Sequence, residues 1–276
     1  MHLESKSMQG KVALITGGSS GVGLALARLL VRRGAHVVLV ARSPDALRSA
    51  ADSLGAGCAS WVVLDVADRA GLSQLPGRVV AEHGRLDLVV NNAGVNHRGA
   101  LNERSALELT QILEVNLLAP ILLTQAALPF LKPGDAVINV ASLAGKVPVP
   151  HEATYCASKA GLRAFSRALE VELSERGILV TSVCPGPVDT AFIADVAHIP
   201  NLVFSQPMSS SEQVAEAALA AIDRGAREVD VPSLSGKLAT LGYLFPALMT
   251  KLRPALERRG ADNKRRYAAT RKPQRA

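Results

Sequence analysis

Short, continuously apolar runs alternate along this chain with stretches in which apolar residues recur every three or four positions. Lys11–Thr16 (KVALIT) is a β-rich run that ends in glycines, and Gly23–Gly34 then repeats Leu and Ala at helical spacing up to a glycine suited to a C-cap. His36–Ala41 is the next strand, and Ser43-Pro44 opens a helix with a capping hydroxyl and a first-turn proline. The alternation continues with strands at Ser60–Val66, Leu86–Asn92, Asp135–Ser142, Ile178–Pro185 and Glu228–Pro232. Helices are predicted between them at Asp68–His83, Ser105–Leu131, Thr154–Arg176 and Ser211–Arg224. Strands written as unbroken Val/Ile/Leu runs are those buried on both faces, as in a parallel sheet. The pattern predicts an α/β fold of about seven strands, a doubly wound parallel sheet flanked by helices, with right-handed crossovers. One such domain is expected over residues 1–231, followed by an extension at 232–276. No repeat at solenoid spacing is present. Residues 98–104 and 190–210 are the two connections able to serve as substrate lids.

Composition sharpens this picture in three places. Among 276 residues 48% are hydrophobic but only 3% aromatic, so the core must be built from Val, Leu, Ile and Ala. Cys58, Cys156 and Cys184 are too few and scattered for a disulfide framework or metal cluster, which points to a reducing compartment and no redox role. The first residues, MHLESKSMQGK, lack a signal-peptide core, and the apolar stretch from Leu117 to Leu131 is interrupted by Pro120, Thr124, Gln125 and Pro129. A soluble, cytoplasmic protein is expected. The net charge of +7 is concentrated in residues 251–276, with ten Lys/Arg against Glu257 and Asp262; the remainder holds 21 basic and 22 acidic residues. Aromatic interleaving and nucleic-acid reading motifs are missing, so nucleic acid is not an expected partner.

The first strand–helix turn, TGGSSGVG (Thr16–Gly23), carries the clearest chemical signal. Gly17, Gly21 and Gly23 allow a tight turn and close approach of a ligand, while Ser19, Ser20 and Val22 complete a loop that leads into helix amides and a positive dipole end. Between the first strand and first helix of a doubly wound pattern, this predicts dinucleotide binding. Further along, Tyr155 and Lys159 lie four residues apart on one helical face. A phenol ionises near ~10, and an adjacent ammonium would pull that value toward neutrality. Taken alone, the pair is weak evidence, since Tyr and Lys at this spacing are more often two polar residues on a surface helix.

Together with Asn91–Gly94 (NNAG), Asn116, Ser142, YCASK and Pro185–Thr190 (PGPVDT), these residues resemble the classical short-chain dehydrogenase/reductase family, in order and spacing, from about residue 10 to 231. The resemblance implies a Rossmann-type fold and hydride transfer between a nicotinamide and a ketone or secondary alcohol. It implies Tyr155 as general acid or base, Lys159 as the group that lowers its pKa and holds the nicotinamide ribose, and Ser142 as the holder of the substrate oxygen. Asn116 would anchor a water leading from Lys159 to solvent. Ser142 and Asn116, read in isolation, are ordinary capping or core-polar residues. Asp65 and Val66 would meet adenine at the end of the third strand. Asn91, Ala93 and Gly94 would lie beside the adenosine ribose, although Asn91 equally reads as a tie between strands. Pro185, Gly186, Val188 and Thr190 would line the nicotinamide side.

Cofactor choice turns on the end of the second strand, where NAD-preferring enzymes place an acid to bind the ribose 2′-hydroxyl. Here Ala41 stands in that place and Arg42 follows, so NADP(H) is the preferred cofactor and NAD(H) the lesser one. The competing reading leaves Arg42 in solvent. His151 reads as an exposed loop histidine. The substrate is expected to be a small hydrophobic or lipid-like ketone or alcohol of the 3-ketosphinganine, steroid or 3-oxoacyl kind, selected by residues 95–104 and 190–210. Family members form homodimers or homotetramers, which is the expectation here by analogy. The rival reading is a non-catalytic nucleotide-binding scaffold, against which the full set Asn116, Ser142, Tyr155 and Lys159 argues.

Beyond residue 231, Leu238, Leu241, Leu244, Phe245, Leu248 and Leu252 form an apolar stripe, bent or broken at Pro246 and Pro254 and followed by the basic segment. Three expectations compete: a cover for the pocket or a subunit interface, a peripheral contact with an anionic membrane, and a solvated end.

Overall fold

A computed structural model describes residues 7–193 and 195–270. The apolar runs become β1 (Val12–Thr16), β2 (His36–Ala41), β3 (Ala59–Val63), β4 (Leu88–Asn91), β5 (Ala136–Val140), β6 (Leu179–Pro185) and β7 (Glu228–Val231). They form one parallel sheet in the order β3-β2-β1-β4-β5-β6-β7. The helices are α1 (Gly21–Arg32), α2 (Pro44–Asp52), α3 (Arg69–His83), α4 (Ala106–Leu113), α5 (Ala119–Ala127), α6 (Ala153–Leu173), α7 (Ser211–Arg224), α8 (Ser233–Leu244) and α9 (Pro246–Thr270).

Side chains alternate across the sheet. On β1, Ala13 and Ile15 pack with Leu26 and Leu30 of α1 and Ala218 of α7. Val12 and Leu14 face the opposite way, onto Leu72 and Leu75 of α3 and Leu123 of α5. Leu14 and Ile15 are fully buried, and truncating either to Ala would cost about 2–5 kcal/mol. The winding reverses between β1 and β4, so the loops leaving their carboxyl ends part there and open a crevice.

Three elements differ from the sequence pattern. β3 stops at Val63, because the Asp65 carboxylate accepts the Ala67 N–H and Asp68 caps α3 through the amides of Ala70 and Gly71. Asp65 and Val66 therefore lie beyond the strand. The long predicted helix is α4 and α5 joined by a single π-helical turn, Glu114–Leu118, which carries Asn116 into the interior. By length and composition Ala106–Ala127 would suffice to cross a membrane, yet it packs on α3 and α6 beside the sheet. At the C-terminus the chain breaks at Phe245, as the stripe predicted, but α9 runs on through Pro254.

α8 packs beneath β7, where a Cβ at Gly236 would run into the Asp230 side chain. Leu238, Leu241, Leu244, Phe245 and Leu252 are exposed, and no described residue covers them. The side chain of Leu248 and the residues Arg271, Lys272 and Arg275 lie outside what is described.

Candidate active site

The glycine-rich turn bridges β1 and α1. Gly17 (φ +63°) and Gly21 (φ +52°) adopt left-handed backbone, and a Cβ at Gly17 would come within 2.9 Å of Asn92 Nδ2. Gly23 lies beneath the turn, where a Cβ would collide with the Gly17 carbonyl, so its role is to seat α1 against the loop. Asn92 holds the turn to β4, its Nδ2 donating to the carbonyls of Thr16 (3.0 Å) and Gly17 (3.1 Å). Thr16 Oγ1 completes the tie, donating to Val90 O and accepting the amides of Asn92 and Ala93. Ser20 precedes α1 in extended conformation without a side-chain cap, and the first helical turn carries no acid. The amide donors and dipole of α1 are thus left for an external anion. A backbone cradle that tolerates no Cβ, ending in uncapped helix amides, fits a dinucleotide pyrophosphate.

A cavity of about 340 Å³ extends from this turn across the carboxyl ends of the strands. Gly17, Ser20, Gly21 and Val22 form one end, Ala93 and Gly94 one wall, and Pro185, Gly186, Val188 and Thr190 the opposite wall. Ser142, Tyr155 and Lys159 converge on its floor. Other residues singled out in the sequence stand apart from it. Ser19 does not line the cavity. Val66 is buried in the core beside Leu72 and Val115. Asn91 is buried as well, its Nδ2 donating to Thr124 Oγ1 (3.0 Å) and Asn139 Oδ1 (2.7 Å). Of its two readings, the tie between strands is the one these contacts express. Arg42 and Asp65 sit at the exposed mouth of β2 and β3, 3.9 Å apart.

The reacting groups come from two elements. Ser142 follows β5; its Oγ accepts the Ala144 amide and donates to Pro185 O at 3.4 Å, and it lies near enough to Tyr155 to lower the phenol's pKa. Tyr155 and Lys159 share the buried face of α6, with Nζ 5.8 Å from the ring centroid and donating to Val140 O at 2.9 Å. Asn116 is fully buried at the π turn: Oδ1 accepts the Val95 amide, and Nδ2 donates to Val95 O and Ser158 Oγ. These bonds tie the loop after β4 to α6 at Ser158, the residue next to Lys159. A Cβ at Gly94 would lie 3.3 Å from Asn116 Oδ1 and 3.7 Å from Lys159 Nζ, so the backbone there approaches both.

The electrostatics differ from the simple lysine–tyrosine picture. Burial raises the Tyr155 pKa, the Glu152 carboxylate raises it further, and Ser142 and Arg98 only partly oppose them. Burial also lowers the Lys159 pKa, to about 8, and its Nζ donates to Val140 O. With the protein's own groups the phenol is therefore held protonated, as a donor. Glu152 and Arg98 are the residues sequence reasoning missed. They form a buried ion pair at 2.7 Å in the cavity wall, and the Arg98 guanidinium lies 5.2 Å from the Phe192 ring centroid, which is itself 6.0 Å from that of Tyr155. The available signal was the position of Glu152, at the N-cap of α6 and three residues before Tyr155.

The model of the short chain dehydrogenases matches residues 11–199. The chain belongs to the short-chain dehydrogenase/reductase family. It is accordingly an oxidoreductase acting on CH–OH and C=O groups with NAD(P). Among similar proteins, the 3-oxoacyl-acyl-carrier-protein reductase of Salmonella typhimurium is 37% identical over 186 residues, covering 67% of this chain and 76% of that protein. The ketoacyl reductase HetN of Nostoc sp. is 33% identical over 258 residues, covering 89% of both. A crystal structure of a short-chain dehydrogenase from Burkholderia cenocepacia in complex with NADP superposes with a TM-score of 0.74 at 30% identity, covering 82% of this chain and 97% of that one.

Proposed function

We propose that this dehydrogenase is an NADP(H)-dependent reductase of hydrophobic ketones, with 3-oxoacyl compounds the favoured class. The observation that carries the reading is the cavity that Ser142, Tyr155 and Lys159 share with the glycine-rich turn. When bound, the nicotinamide supplies the hydride. Ser142 and Tyr155 both line this cavity, where the serine would orient the carbonyl and the tyrosine deliver the proton. Lys159, beside the Gly94 backbone, holds the ribose of the cofactor and a positive charge behind the tyrosine. Val147, Val149, Phe192, Ile193, Leu202 and Val203 give the cavity apolar walls suited to an acyl chain. The names of the Salmonella and Nostoc relatives support the same substrate class. A panel of 3-oxoacyl thioesters, a steroid ketone and 3-ketosphinganine, each assayed with NADPH, tests this. Turnover of the thioesters is expected, and NADPH binding with no turnover of any ketone would favour the scaffold reading.

For the cofactor, the decisive side chain is Arg42. It is 66% exposed, and its carboxylate neighbour, Asp65, is no closer than 3.9 Å, so the guanidinium is free to swing onto a 2′-phosphate. A charge-assisted bond of about 1.5–3 kcal/mol corresponds to roughly 10- to 150-fold. Arg42→Ala is expected to raise the KM for NADPH by about that factor and to leave the NADH value within about twofold. Equal shifts for the two cofactors would reject the preference.

A further inference from the structure

The wall of the cavity opposite the sheet is built by residues 189–193 and 195–205, which contain three short 3₁₀ segments, Ala191–Ile193, Val196–His198 and Asn201–Ser205. At its base this lid is closed by Asp189 N donating to Ser209 O (3.0 Å) and Ser209 N donating to Pro187 O (2.9 Å). Above the base the turns leave carbonyls that short 3₁₀ segments have no means of satisfying internally.

Those carbonyls are met by the last helix. Lys264 Nζ donates to Ala197 O (2.9 Å) and Ile199 O (2.6 Å), and Asn263 Nδ2 donates to Phe204 O (3.0 Å). The Tyr267 hydroxyl is bonded to Asp189, the residue between Val188 and Thr190 of the nicotinamide wall. The Tyr267 ring lies 5.5 Å from that of Phe204 and packs against the lid's own small core of Ile193, Ile199 and Phe204. Gly260 brings the helix backbone onto the lid backbone, where a Cβ would run into Asn201 O. None of Gly260, Asn263, Lys264 or Tyr267 lines the cavity, whereas Phe192, Ile193, Leu202 and Val203 do. The Burkholderia structure matches 97% of its own length to only 82% of this chain, so this chain carries a segment without counterpart there.

We infer that α9 is a clamp for the substrate lid. Asn263, Lys264 and Tyr267 act as positioning residues that fix the lid and so set how tightly the ketone is held, without touching it. The inference takes the cavity as the ketone site, as proposed above, but the clamp has a mechanical readout of its own. Breaking it must loosen the lid more than the glycine-rich turn, which is tied to β4 through Asn92 and Thr16.

The test uses the full chain with Lys264→Ala and Tyr267→Phe combined, the second keeping the aromatic packing on Phe204. Amide hydrogen exchange is expected to rise about tenfold or more across 189–205, with β1, β4 and β5 unchanged. The KM for a 3-oxoacyl thioester should rise about 5- to 30-fold with kcat within about threefold, and NADPH affinity should fall by a much smaller factor. Lys264→Arg, which keeps a donor and a charge, should restore most of both effects. Unchanged exchange in the lid would overturn the clamp, as would a loss of NADPH affinity equal to that of ketone. Should exchange in the core strands also rise, Asn263→Ala replaces the double variant and is judged by the same readings. If the wild type reduces no ketone at all, the functional proposal fails while the exchange experiment still decides the clamp.

Discussion

Tyr155→Phe is expected to lower kcat for ketone reduction by about 10²- to 10⁴-fold, the range for removing a positioned general acid. The ring occupies a buried site 6.0 Å from Phe192 and keeps that packing as phenylalanine, so NADPH binding should stay within about twofold of wild type. What disappears is one hydroxyl, the neighbour of Ser142 and the only phenolic proton on the cavity floor. Burial and Glu152 raise its pKa, so the wild-type residue carries its proton throughout the neutral range, which suits donation to a carbonyl. Ser142→Ala made on top of Tyr155→Phe should cost much less than Ser142→Ala alone, because the two hydroxyls act on one oxygen. Single-turnover reduction measured in the three variants checks both statements. Near wild-type kcat in Tyr155→Phe would remove this tyrosine from the chemistry.

Lys159→Met should cost about 10²-fold or more in kcat/KM, and its signature lies in the pH profile. Burial lowers the lysine from its ordinary 10.5 to about 8, so the ammonium is present below that pH and lost as pH rises through it. The tyrosine, with its raised pKa, still holds its proton there. Wild-type reduction is therefore expected to decline above about pH 8 through deprotonation of Lys159 rather than of Tyr155. Lys159→Met should show no such limb, and Lys159→Arg should move it upward, since a guanidinium keeps its charge. Profiles of kcat/KM from pH 6 to 10 at saturating NADPH provide the measurement. A limb that survives in Lys159→Met would assign it to another group. The same shift carries a stability consequence. Between about pH 8 and 10.5 the unfolded chain binds a proton at this lysine that the native protein does not, so this residue makes stability increase with pH across that window.

Much of this architecture was legible in the sequence because it rests on local repetition. β1, β2, β4, β5 and β6 are buried on both faces and so appear as unbroken apolar runs, and their alternation with helices prescribes crossovers of one hand. The turn at Gly17, Gly21 and Gly23 is legible for a similar reason, since left-handed backbone and a helix lying on a carbonyl both demand the absence of a Cβ. Spacing also placed Tyr155 and Lys159 on one face of α6. β3 is the counter-example. Its last predicted residues were claimed by the side-chain bonds of Asp65 and Asp68, a competition that hydrophobic pattern does not register.

The sequence by itself determined the order of strands and helices and put Tyr155 and Lys159 on one face, because covalent order and a periodicity of two or 3.6 settle which side chains share a face. Tertiary structure alone decided what those residues experience. The tyrosine's acidity depends on Glu152, on Arg98 from the loop after β4, and on depth within a cavity whose far wall, Phe192, arrives from the lid. The fate of the C-terminal helix was decided in the same way, by lid carbonyls some sixty residues earlier in the chain that needed donors. Burial and electrostatic environment are sums over neighbours in space, and neighbours of this kind are brought together only when the chain has packed.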